Sequence, residues 1–137
     1  MNFETTIEVR ITDLNYGNHV GNDAFLRFAH EARVRWLTQC GWSEKDIGGV
    51  GLIMTEAHLV FKTQAFYGDI LKIAIHSENI SRASFDLVYK ITRYNKVAGA
   101  SDQKEILIIR TKMLGFDYTR QKVSGLPEEF RKYINSV

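Results

Sequence analysis

NDAFLRFAHEARVRWLTQCGW, residues 22–42, is the one stretch of this chain that reads as a long helix, and the fold follows from it. Phe25, Phe28, Ala29, Ala32, Trp36 and Cys40 recur at spacings of three and four, an apolar stripe along one helical face. Asn22 or Asp23 suits the N-cap, where a short side-chain acceptor satisfies amides of the first turn. Gly41 suits the left-handed position past the end. A helix from about 23 to 40 is roughly 27 Å long at ~1.5 Å per residue.

Outward from the helix, the patterns turn to strands. TTIEVRI (5–11) alternates, with Ile7, Val9 and Ile11 on one side. LIMTEAHLVFKT (52–63) is apolar enough for a strand with both faces partly covered. FYGD (66–69) is a turn, ILKIAIHSE (70–78) alternates, and so does SFDLVYKITRY (84–94). AGASDQ (98–103) reads as a turn, KEILIIRTKMLGFDY (104–118) as a long last strand, and LPEEFRKYI (126–134) as a short helix with Pro127 at its start. One strand, one long helix and four strands joined by short turns predict an α+β layer, a single helix on one antiparallel sheet. The exposed edges and outer face of such a sheet favour self-association.

Composition narrows the function. The chain has 137 residues, 45% of them apolar, which suits one domain with a real core. A formal charge of +2 and the lack of a basic run argue against nucleic acid as a partner. Cys40 is the single cysteine, so no intrachain disulfide and no cysteine metal cluster forms. The first residues lack a secretory pattern, and no apolar run approaches the ~20 residues that span a bilayer. The reading is a cytoplasmic domain without membrane insertion.

The loop before the helix, TDLNYGNHVGND (12–23), is dense in asparagine and glycine and holds His19. The whole segment VRITDLNYGNHVGNDAFLRFAHEARVRWL (9–37) resembles the signature of the 4-hydroxybenzoyl-CoA and acyl-CoA thioesterase family, roughly V-R-x-x-D-x-D-x-x-x-H-V-N-N-x-x-Y-L-x-x-x-x-E-A-R. Val9-Arg10, Asp13, His19-Val20, Asn22, Leu26 and Glu31-Ala32-Arg33 fall in register. FKTQAFYGDILKI (61–73) resembles the family's strand–GD–strand turn, and FDYTRQKVSGLPEEF (116–130) its closing strand, basic loop and Leu-Pro helix start. The resemblance implies the hot-dog fold, a five-stranded antiparallel sheet wrapped around one long helix. It also implies an acyl-CoA or acyl-carrier-protein thioester as substrate, no separate cofactor, and a homodimer or homotetramer whose chains share a sheet and site.

Two positions depart from the pattern. The second aspartate, the catalytic carboxylate of many members, is Asn15 here, and the first asparagine after His-Val is Gly21. Plant-type acyl-carrier-protein thioesterases share a similar run and use an asparagine two before the histidine, where this chain has Gly17. Neither catalytic set carries over intact.

Thioester hydrolysis needs an activated water or nucleophile and donors for the developing oxyanion. Asn15 can hold a water or donate to a carbonyl oxygen, but it is no base. His19 is the natural base at neutral pH; its other reading is a histidine that steadies the loop. Glu31 lies at the flank of the apolar stripe and is either a second base or one partner of a surface pair with Arg27 or Arg35. Asp13 is either a carboxylate reaching the site or, as favoured here, an Asx-type turn stabiliser. The amides near Asn22, Asp23 and Ala24 open the helix and could polarise a thioester carbonyl, with Gly21 allowing close approach. Arg82, Arg120 and Lys122, with Lys62 behind them, are candidates for coenzyme A phosphates. Phe61, Phe66, Tyr67 and Tyr89 either line an acyl channel or belong to the core.

Three activities fit this set. A thioesterase would use Asn15 with His19 or Glu31. A non-catalytic acyl-CoA or acyl-carrier binding domain would explain the missing carboxylate. A hot-dog hydratase or dehydratase would need D-x-N-P-x-H, but DLNYGNH is one residue too long and lacks the proline.

Overall fold

The computed structural model describes residues 2–95 and 103–136. Strand β1 (Phe3–Glu8) leads through a 3-10 turn (Ile11–Asp13) and the Asn/Gly loop into helix α1 (Asn22–Gln39). Strands β2 (Gly51–Phe61), β3 (Asp69–Glu78), β4 (Ser84–Asn95) and β5 (Lys104–Asp117) follow, then a two-residue strand β6 (Lys122–Val123) and helix α2 (Glu128–Asn135). The five long strands form one antiparallel sheet in the order β1-β3-β4-β5-β2, and β6 adds to β5. This is the expected α+β arrangement, with β6 as a short addition. The turn expected over 98–103 lies outside the described residues except for Gln103.

The helical stripe sets the core. Phe25, Phe28, Ala29, Ala32 and Trp36 are buried together with Leu71, Ile73, Leu87, Tyr89, Ile91 and Ile109 of the sheet. Cys40 is only half-buried and caps the helix end, its Sγ–H donating to Tyr133 Oη (3.0 Å). Gly41 follows at φ +82°, and its amide and that of Trp42 bond Thr38 O and Leu37 O, which closes the last turn. Helix α2 seals this end by inserting Phe130 among Trp36, Trp42 and Phe85. The opposite face of the sheet is charged: Arg110 bonds both Glu78 and Asp86, and His76 pairs with Glu78 (2.6 Å).

Three local expectations need correction. The first strand spans 3–8 rather than 5–11, and Ile11 is 68% exposed. The Asp13 carboxylate accepts the Arg10 amide (2.8 Å), a side-chain bond that ends the strand and closes the 3-10 turn. The N-cap of α1 is Gly21 rather than Asn22 or Asp23, which are the first two helical residues. Strand β2 is less covered than its composition suggests, because it is the sheet's edge: Met54, Val60 and Phe61 are exposed.

Candidate functional site

The loop from Asp13 to Gly21 is a tightly bonded hairpin that delivers its side chains to the start of α1. Leu14 bridges Val20, the Asn15 amide donates to His19 O (2.9 Å), and the Gly21 amide donates to Asp13 O (3.1 Å). Val20 N reaches Ala65 O (2.8 Å), which ties the hairpin to the segment after β2. Asp13 is buried, and its carboxylate is engaged by Arg10 through the amide and guanidinium. It holds the turn.

Asn15 and His19 meet inside this hairpin. Asn15 Oδ1 accepts the Gly17 amide (2.8 Å), which turns the Asn15 NH₂ group toward His19 Nδ1 (3.5 Å). His19 Nδ1 also lies 3.3 Å from Val20 O. Gly17 makes this arrangement possible: a Cβ there would lie 3.1 Å from His19 Nε2 and 3.2 Å from Asn15 Oδ1. Gly21 is less constrained: a Cβ would lie 2.7 Å from the Asp23 carboxylate, the end of an exposed side chain that can turn aside. That carboxylate bonds Arg27 (3.1 Å) and lies against the amides of Asp23 and Ala24, contacts that hold it below the usual carboxylate range. Asp23 thus stands at the helix N-terminus, where negative charge is favoured.

His19 and Asn22 open onto a cavity of about 310 Å³ between α1 and the end of β2, with Phe25, Phe61 and Lys62 in its wall. Phe25 and Phe61 meet edge to face at 5.9 Å, and Lys62 pairs with Glu105 (2.9 Å). The cavity joins an apolar wall to a helix N-terminus, an imidazole and a carboxamide. That combination suits a ligand with an apolar tail and a polarisable carbonyl.

Glu31 is not among these groups. It comes nine residues after Asn22, which at ~100° per residue puts it on the opposite side of α1. There it pairs with Arg35 (2.8 Å), whose guanidinium also bonds Thr5 Oγ1 and Thr6 O. This β1 flank carries a larger open groove of about 680 Å³, lined by Arg10, Arg27, Glu31, Arg35 and Tyr67. Its three arginines are already paired with Asp13, Asp23 and Glu31.

The basic candidates lie elsewhere again. Lys122 pairs with Asp117 on β5, whereas Phe61 of the cavity pairs with Leu107, so about 30 Å of strand separates them at ~3.3 Å per residue. Arg120, near Asp117 (3.8 Å), and Arg82, whose carbonyl accepts the Leu126 amide, share that far end. Of the aromatic candidates, Phe61 lines the cavity and Tyr67 the other groove. Phe66 sits under the Arg93 guanidinium (5.5 Å), and Tyr89 is fully buried.

Sequence reading passed over one cluster. Arg33, buried on the β2 flank of α1, donates from Nε to Glu44 (2.9 Å) and from Nη1 to Tyr89 Oη (2.9 Å). Glu44 also lies 2.6 Å from His30 Nε2. Burial pushes the Glu44 carboxyl up, but the bonds from His30 and Arg33 outweigh it and hold the carboxyl below its ordinary range. The available signal was the spacing of Asn22, Leu26, Ala29 and Arg33, which shows that one helical flank turns from apolar to charged. Among the described residues no cluster of His, Cys, Asp and Glu is placed to hold a metal ion, and no helix is long and apolar enough to cross a membrane.

The sequence matches the thioesterase-like superfamily over residues 9–134. No curated protein matches it. Among solved structures, a 1,4-dihydroxy-2-naphthoyl-CoA thioesterase from Synechocystis superposes with a TM-score of 0.85 at 22% identity, covering 100% of this chain and 98% of that one. The 4-hydroxybenzoyl-CoA thioesterase from Pseudomonas superposes at 0.82 with 17% identity, over 94% and 96% of the two chains. A Staphylococcus aureus protein in complex with CoA superposes at 0.85 with 17% identity, over 99% and 83%.

Proposed function

The chain belongs to the thioesterase-like superfamily and is a thioester hydrolase, and we propose that its substrate is a fatty or aromatic acyl-CoA bound with its thioester at the first turn of α1. The observation that carries this reading is the meeting of His19 and the helix N-terminus at one apolar-walled cavity, with Asn15 beside the imidazole.

In this reading His19 Nδ1–H donates to Val20 O rather than accepting from the Asn15 NH₂ group, which leaves that group for a water and Nε2 as the base. A water held by the Asn15 carboxamide attacks the thioester carbonyl carbon while Nε2 takes its proton. The carbonyl becomes an oxyanion facing the amides that open α1, where the helix dipole favours negative charge. The tetrahedral adduct then collapses, the C–S bond breaks, and the imidazolium returns its proton to the departing coenzyme A thiolate. The products are a free acid and a thiol, and the base is regenerated.

A second copy completes the site in this proposal. Edge strand β2, with Met54, Val60 and Phe61 exposed, invites antiparallel pairing with its own copy about a two-fold axis. Such pairing turns the far end of one sheet toward the hairpin of the other. Arg82, Arg120 and Lys122 then serve the partner's coenzyme A phosphates. The assembly is a cytoplasmic homodimer, or a homotetramer built from it.

Thiol release across a panel of aliphatic and aromatic acyl-CoAs tests the reaction. Turnover of at least one class is expected, and none above background would overturn the reading. Asn15→Asp separates two roles for residue 15. Lower activity shows that the amide holds the water, and a large gain shows that the natural site is an attenuated form of a carboxylate site. Light scattering tests the assembly: a monomer at assay concentrations refutes the shared site.

A further inference from the structure

The chain has nine arginines, and seven of them pair with a carboxylate. Among the described residues no carboxylate pairs with the other two, Arg82 and Arg131, and both line one pocket. It holds about 400 Å³ between the β3–β4 turn and α2, and Ser81, Glu128, Lys132 and Asn135 complete its polar wall. The frame is fixed on both sides. The Ser81 amide donates to Ser84 O (2.8 Å) and the Leu126 amide to Arg82 O (2.8 Å), which ties the turn to the segment that enters α2. Ser77 Oγ donates to Ile134 O (2.7 Å), and Phe130 and Ile134 anchor the helix in the core.

Glu128 is engaged by Lys132 (3.3 Å). Three cations and one carboxylate leave the wall with two positive charges. The C-terminal end of α2 favours a cation, which accounts for Lys132 in its last turn. It does not account for Arg82, which comes from a different element and adds like charge to the same pocket. Like charges brought together cost free energy unless an anion lies between them. A guanidinium offers a planar fork of donors that suits phosphate oxygens, and the Asn135 carboxamide can add another donor. Two guanidiniums and two net charges match a phosphate monoester, which carries nearly two negative charges at neutral pH. A single carboxylate would leave one charge unanswered. Neither Arg120 nor Lys122 lines this pocket, so Arg82 is set apart from them.

We propose that Arg82 and Arg131 bind a phosphate monoester in the pocket between the β3–β4 turn and α2, apart from the reacting centre. Two sources offer that chemistry. One is the 3′-phosphate of a coenzyme A thioester held by the partner's hairpin, and this source rests on the shared-site reading above. The other is free phosphate or a small phosphorylated ligand, which does not depend on that reading. In either case the two arginines are binding residues and take no part in bond breaking.

The test is titration of the full chain with sodium phosphate against sodium chloride at matched ionic strength, read by calorimetry and by melting. Phosphate at ten times its dissociation constant should raise the melting midpoint by about 5 °C. Arg82→Gln and Arg131→Gln should each weaken phosphate at least about tenfold, as the loss of a hydrogen bond from a charged group implies. Lys104→Gln, which removes an exposed charge on β5, should leave the affinity unchanged. In chloride alone both arginine variants should melt no lower than wild type, because each relieves repulsion. A lower midpoint with unchanged phosphate affinity marks a structural role and overturns the inference. Matched acyl-CoA and acyl-dephospho-CoA then identify the source. If the substrate supplies the phosphate, kcat/KM falls about 10- to 100-fold without it, and Arg131→Gln erases the difference. If a separate ligand supplies it, the pair react alike and phosphate binds the CoA-saturated protein undiminished. No phosphate effect beyond that of chloride, together with equal turnover of the pair, overturns the inference and leaves the hydrolase reading intact. If no acyl-CoA is hydrolysed, the hydrolase reading fails. The phosphate titration and the dissociation constants of CoA and dephospho-CoA then decide the site, and equal constants without a phosphate effect overturn it.

Discussion

Replacing His19 and Glu31 separately asks which side of α1 does the chemistry. Both are candidate bases, but they face opposite flanks, and the nine helical residues from Asn22 to Glu31 alone span roughly 14 Å along the axis. His19 lies beside Asn15 and the cavity, whereas Glu31 is bound to Arg35 beside β1. A general base contributes ~10²- to 10⁴-fold, or about 3–5 kcal/mol of barrier. His19→Ala should therefore lower kcat by at least about a hundredfold, with its thermal midpoint little changed. Glu31→Gln removes one half-exposed ion pair, of the kind that contributes ~0.2–1 kcal/mol to stability. Its kcat should stay within about threefold of wild type, and its midpoint should fall by about 3 °C or less. Thiol release, with circular dichroism melts as the folding control, measures both. A hundredfold loss in Glu31→Gln with an active His19→Ala would refute the reasoning, because it would put the reacting thioester on the β1 flank.

Three further outcomes follow from close contacts and charge. Gly17→Ala puts a Cβ against His19 Nε2 and Asn15 Oδ1, and kcat should fall about 10- to 100-fold while stability changes by less than ~1 kcal/mol; kinetics beside a melt resolves the two. Gly115→Ala drives a Cβ into the Ser124 carbonyl oxygen, a backbone atom that cannot rotate away, so urea unfolding should show a loss of about 1–3 kcal/mol. Glu44 has a depressed carboxyl in the folded chain, so its contribution to stability is complete above the unfolded carboxyl pKa of ~4.3 and disappears as pH falls through the folded value. The stability gap between wild type and Glu44→Gln should stand at pH 5 and close as the pH falls further; a gap that keeps widening below pH 4 would contradict the assigned pairing.

Periodicity revealed the elements because burial imposes it. The helical stripe and the four later strands stand close to where their apolar spacing put them, since each buries one face against the other. Boundaries set by side-chain bonds were hidden. Val9 and Ile11 alternate like strand residues, but Asp13 captures the Arg10 amide and the chain turns before Ile11 can pair. The helix cap was hidden for the same reason. Asn22 and Asp23 have the chemistry of a cap, yet Asp23 leans toward Arg27, and the bonded hairpin leaves Gly21 as the residue that enters the helix.

The candidate site was legible as chemistry but not as geometry. The loop composition drew attention to His19 and the family resemblance to Asn15, and the hairpin brings them within 3.5 Å of each other. Helical spacing showed that Glu31 lies off the apolar stripe, but a stripe has two edges, and spacing does not say which strand covers which. That depends on the strand order, which places β1 at one edge of the sheet and β2 at the other. The same ambiguity hid Arg33. Read as one more charge on an arginine-rich helix, it looks solvated; set on the β2 flank over Tyr89 and Thr111, it is a buried cation bound to Glu44 and Tyr89. A charged residue four or seven positions from apolar neighbours on a helix is therefore ambiguous until the covering strand is known. Here β2 decides it, placing His19 and Arg33 at two separate cavities on its flank of the helix and Glu31 on the opposite flank.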